Sequence, residues 1–139
     1  MAVEFTLELA TTETAEQIRT QAVEAAGIPT EPWLHVGMNT PSERDPITAD
    51  FGIRPTVWVL FALSGDDIAA LQDTMVHITS RLLDHTPADA ILHHQYDMIW
   101  LIRRSGSLVV SDHPDIWTPA RLALLPKPYS RAPLEFSQG

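Results

Sequence analysis

With 139 residues, 45% of them apolar and no cysteine, the chain has material for one hydrophobic core and none for disulfides, thiolate metal sites or thiol nucleophiles. Its 18 acidic residues against 9 basic ones leave a formal charge of −9, which opposes phosphate backbones and anionic lipid and so excludes nucleic acid and membrane surfaces as partners. The imbalance is uneven, with nine acids and two bases in residues 1–50 but three acids and five bases in residues 101–139, and such a field attracts a basic protein partner.

The first residues place Glu4 and Glu8 where a secretory signal carries lysines and an unbroken apolar stretch, so a cytoplasmic protein is expected. Val3, Phe5, Leu7 and Leu9 alternate with Glu4, Thr6 and Glu8, the period of a strand with one face buried and one in water. Thr14 and Gln17 stand at capping-box spacing, and Ala15, Ile18, Ala22 and Ala25 recur at helical intervals up to Gly27, predicting a helix over 13–26. Residues 28–55 hold five prolines and predict a long irregular connection with one or two short edge strands, drawn from the apolar pieces Trp33–Val36 and Ile47–Ile53. Thr56–Leu63 is apolar on both faces and predicts a central strand covered on both sides or shielded by the loop.

Ser64, Asp66 and Asp67 precede Ile68, Leu71, Met75, Ile78 and Leu82, whose spacing predicts a second helix over 67–84. Residues 90–94, 98–104 and 107–110 read as a three-strand meander turning at Gln95-Tyr96-Asp97 and Ser105-Gly106. A short apolar stretch follows, and then the prolines at 126, 128 and 133. The expectation is a single α+β domain over 1–125 with a proline-rich extended C-terminal tail over 126–139. Its fold class is a two-layer sandwich, with a mostly antiparallel sheet and two main helices packed on one face.

Candidate chemistry is sparse. His93 and His94 are neighbours in a strand and face opposite ways, so they cannot chelate one ion together. His35 and His113 form a metal or acid–base site only if the fold brings them together with a carboxylate such as Asp112. Asp73, His77 and Arg81 lie four apart on the second helix and read as a solvated face with weak pairs. Ser64 lacks the glycine that precedes a nucleophile elbow, and the dispersed glycines form no phosphate-binding loop. No residue is therefore assigned to catalysis, to a cofactor or to a metal. The candidate partner-binding residues are the loop acids Glu31, Glu43, Asp45 and Asp50, with Trp33 and Trp117 as aromatic anchors outside the regular strands.

Three passages carry a family resemblance: Met1 to Leu9, Val57 to Asp67, and Asp97 to Val110 followed by Trp117. Together they resemble the Sit-type immunity proteins, the swarming-inhibition toxin immunity family. That resemblance implies a small cytoplasmic protein, with no catalytic centre and no cofactor, that binds and neutralises a cognate toxin. The acidic first two thirds of this chain would suit a basic toxin domain. Two alternatives stay open on the residues alone: a small-molecule-binding α+β domain, and a histidine-dependent enzyme.

Overall fold

The computed structural model describes residues 2–136. The strands are β1 (Val3–Ala10), β2 (Leu34–Met38), β3 (Val57–Leu63), β4 (Asp89–His94), β5 (Met98–Arg104), β6 (Ser107–Ser111) and β7 (Tyr129–Ala132). The helices are α1 (Ala15–Ala26), α2 (Pro46–Phe51), α3 (Ile68–His85) and α4 (Pro119–Leu122). Among the described residues the seven strands form one sheet in the order β2-β3-β1-β4-β5-β6-β7, antiparallel throughout except where β7 runs parallel to β6. The class is α+β, as the pattern of elements predicts.

Local chemistry explains the well-predicted elements. Thr14 and Gln17 form the reciprocal capping box that starts α1, and Gly27 ends it in the left-handed conformation. Asp67 accepts from the Ala70 N–H at the start of α3, and the 18 residues of that helix present Met75, Ile78 and Leu82 to the sheet. With α1 it covers the face lined by Phe5, Leu7, Leu9, Val59, Phe61, Leu92 and Leu101. The β4–β5 hairpin turns at Gln95 and Tyr96, both at positive φ (53° and 57°), without the glycine that such a turn favours. The Tyr96 N–H bond to His93 Nδ1 at 3.1 Å holds the turn in this conformation.

One irregularity shapes the core. Leu92 pairs with Leu101 and His93 with Ile99, so Trp100 is an extra residue bulging from β5. The bulge sends both Trp100 and Leu101 to the helix-covered face. There the Trp100 ring meets the edges of Phe5 at 5.0 Å and Trp117 at 6.0 Å.

Three expectations require correction. The apolar piece Ile47–Ile53 is no strand: Pro46–Phe51 is a helix, started by the Asp45 side chain and by proline in its first turn. This α2 lies against the opposite face of the sheet, where Ile47, Ile53, Ile91, Ile99 and Ile102 make a second, smaller core with Phe51, Leu134 and Phe136. The outer face of β1 is therefore not all in water, and Glu8 is only 3% exposed. β3, in turn, lies one strand in from the edge, and its residues alternate between buried and half-buried. The second layer reaches across β4 and β5 but leaves Trp58, Leu60 and Ala62 partly open. The proline-rich segment after 125 is extended and takes part in the sheet, since Tyr129–Ala132 pair with Leu108–Ser111.

Candidate functional site

The long connection between α1 and β3 carries five of the six candidate residues for partner binding, and β2 lies in its middle. β2 pairs with β3 alone, from Leu34↔Phe61 to Met38↔Val57. Just outside that span, the Ala62 N–H donates to Trp33 O and the Asn39 N–H to Thr56 O, each at 2.8 Å. Residues 33, 35, 37 and 39 therefore turn their backbone polar groups toward β3, and the antiparallel alternation turns those of Leu34, Val36 and Met38 outward. Arg19 covers part of this edge, donating from Nη2 to Val36 O at 3.3 Å. On the sheet face Trp58 lies across Gly37 so closely that a β-carbon there would stand 2.2 Å from the indole, which requires glycine at this position.

Beside β2 a groove of about 460 Å³ opens against α1, lined by Arg19, Val23, Glu31, Pro32, Leu34 and His35. Glu31 is exposed on its rim. Glu43, Asp45 and Asp50 follow β2 in the chain. Glu43 is exposed and ion-paired with Arg54. Asp45 caps α2, its Oδ1 accepting from the Ile47 N–H at 2.9 Å, and Asp50 is half-buried in that helix, which packs on the other face of the sheet against Ile91, Ile99 and Ile102. The four acids are thus divided between the groove beside β2 and the segment that leads into and forms α2.

The two tryptophans proposed as anchors belong to the core. Trp33 is 9% exposed and donates from Nε1 to Pro29 O at 2.9 Å. Trp117 is 2% exposed and donates to Trp100 O at 2.9 Å. Each indole N–H finds a backbone acceptor inside the protein, which lets a large apolar side chain be buried without loss. Their position outside regular strands suggested exposure, but long-range packing covers both.

Sequence reasoning missed one buried polar cluster. His93 Nε2 lies 2.7 Å from Glu8 Oε2, both side chains enclosed on the second face of the sheet. His93 Nδ1 accepts from the Tyr96 N–H, which assigns the ring proton to Nε2, donating to Glu8. The Tyr96 ring lies 4.3 Å from that of His93, and Phe136 packs edge-on against His93 at 5.9 Å. The signal was an acid on the nominally wet side of β1, two places from the register partner of a histidine on β4. This is an acid–histidine pair whose side chains are only 1% and 4% exposed.

The other histidines do not join it. His94 turns the opposite way, against Phe5, and lies 2.7 Å from Glu4 O. His35 lies in β2 and His113 two residues beyond the end of β6, five places away in the sheet and roughly 24 Å at the usual spacing, so they do not converge. Asp73 is exposed, as expected of the solvated row on α3, but its partner is Arg121 of α4 at 2.6 Å. Among the described residues no three His, Asp or Glu side chains are grouped to hold a metal ion, and no helix is long and apolar enough to cross a membrane.

Tyr96 offers a pH signature of this arrangement. Its phenol is pushed up to about 12 from 10.0, first by partial burial and then by the Glu8 and Asp45 carboxylates. The folded protein keeps this proton where the unfolded chain has lost it. The associated stability is therefore whole below pH 10.0 and is lost as pH rises through about 12. In denaturant titrations the midpoint should fall across that window more steeply for the wild type than for Tyr96→Phe. Equal slopes would show that Tyr96 does not carry the effect.

A family model described as SitI3-like matches residues 3–121, most of the chain, in keeping with the resemblance to Sit-type immunity proteins. No curated protein and no solved structure matches it.

Proposed function

We propose that this chain, which belongs to the SitI3-like family, is an immunity protein that neutralises a cognate toxin in the cytoplasm by direct binding and without turnover. The family match over residues 3–121 is the observation that carries this reading. The closed acid–histidine pair is compatible with it, because occupying a toxin surface requires no substrate cleft. With a net charge of −9, the partner best suited is a basic toxin domain, steered by the acids of the long connection, Glu31, Glu43, Asp45 and Asp50.

The test is co-purification with the protein encoded beside this gene, scored by stoichiometric recovery and by relief of growth inhibition. A variant with Glu31→Lys, Glu43→Lys, Asp50→Lys and Asp45→Asn, the last chosen to retain a helix cap, is expected to associate about ten-fold more slowly at low salt. Stopped-flow association rates at two salt concentrations check this. An unchanged rate would remove the acidic loop from the interface.

A second reading has one observation in its favour. The groove beside β2, at about 460 Å³, falls within the size range of small-molecule sites. Thermal stabilisation by a metabolite panel, lost in Leu34→Arg, would support a ligand-binding domain.

A further inference from the structure

The two edges of the sheet are protected to different degrees. β7 has four residues with Arg131 among them, and Pro126, Pro128 and Pro133 stand just outside it. Prolines and charges at such positions discourage further pairing. β2 reads Leu34-His35-Val36-Gly37-Met38, with no proline and no Asp, Glu, Lys or Arg. Its outward groups include the N–H and C=O of Met38 and the N–H of Val36. Met38 itself is 70% exposed, an unusual position for a large apolar side chain. Beside this edge lies the groove with Val23, Pro32 and Leu34 in its wall.

Taking the immunity reading as its basis, we infer that the free edge of β2 is the docking strand: an extended segment of the toxin, bearing lysine or arginine at the end that meets Glu31, adds to the sheet as an eighth strand. Backbone hydrogen bonds to Val36 and Met38 supply affinity that does not depend on the partner's sequence. Specificity comes from the groove. Glu31 stands exposed in it just before β2, so a basic residue at that end of the added strand meets a carboxylate. A partner side chain opposite Leu34 points to the helix-covered side, where the groove receives it. Arg19 must release Val36 O as the new strand arrives, and Glu31 on the same groove offers its guanidinium an alternative partner.

Hydrogen exchange tests this on the intact protein, free and with the protein encoded beside its gene as the probe. The Val36 and Met38 amides should exchange rapidly in the free protein and become strongly protected in the complex. Met38→Pro removes an outward N–H while leaving the β2–β3 ladder intact, and an edge strand tolerates it. It should bind roughly ten-fold more weakly, whereas Met38→Ala should bind within about two-fold of the wild type. Unchanged denaturation midpoints for both variants would show that the fold persists. A complex that forms without protecting Val36 and Met38 overturns the edge-docking inference and leaves the immunity reading standing. No complex at all overturns both. Protection in the free protein that rises with its own concentration would assign the edge to a second copy and likewise overturn the inference.

Discussion

Replacing His93 with leucine is expected to cost the fold about 3–5 kcal/mol, because it leaves the Glu8 carboxyl group enclosed without its partner. The pair sits between the sheet and the second layer, with side-chain exposures of 1% for His93 and 4% for Glu8. Water cannot replace the lost Nε2–H donor without opening α2 and the segment carrying Phe136. The Tyr96 N–H loses its acceptor in the same substitution, which removes the bond holding a left-handed turn. Urea denaturation followed by tryptophan fluorescence measures the cost. The double replacement Glu8→Leu with His93→Leu should recover most of it, since removing both partners of a buried pair is often neutral. A loss below about 1 kcal/mol for His93→Leu would mean that the pair is hydrated in solution and that the second layer opens readily.

Arg103→Met is expected to be the other large loss, at least about 3 kcal/mol, from three backbone carbonyls left without a donor. Arg103 lies on β5 with its guanidinium buried beneath the end of α3. It donates to Leu83 O at 2.7 Å, to Ala88 O at 2.9 Å and to Thr86 O. Burial lowers its pKa, while Asp89 and Asp84 oppose that shift. A cation there also faces the negative end of the α3 dipole. Thermal unfolding measures the loss, and amide exchange should locate it in the last turn of α3. Arg103→Lys should restore only part, because one ammonium group cannot span three acceptors held by a planar fork. Full rescue by lysine would show that charge alone matters. The arginine in the strand–turn–strand passage that carries the family resemblance thus has a structural role: it ties helix to sheet.

Two buried arginines are worth comparing, because composition alone would have placed both at the surface. Arg121 is enclosed between α4 and α3, donating to Asp73 Oδ1, Ile116 O and Gln72 Oε1, with the Trp100 ring 5.7 Å from its guanidinium. It fixes α4 over the bulge at Trp100, and through α4 it helps cover Trp117. The tryptophan that looked available for a partner is buried by contacts whose members lie up to 52 positions apart in the chain.

The sequence by itself determined the elements whose signals are local and periodic. These were the first strand, the capping box at Thr14 and Gln17, α3 with its stripe from Ile68 to Leu82, and the meander with its arginine and glycine turn. The same passages carried the family resemblance, so the family was legible there too. Tertiary structure alone decided which polar residues meet water and which strand edge stays free. Glu8 has the pattern of an exposed residue until α2 and the segment bearing Phe136 fold across the second face, and β2 is an edge because it pairs with β3 alone, β7 forming the other edge beside β6. The physical reason is range. Helix caps and alternating strands are set by neighbours a few residues away, whereas the burial of Glu8, His93, Trp33 and Trp117 depends on segments that meet only when the chain has closed.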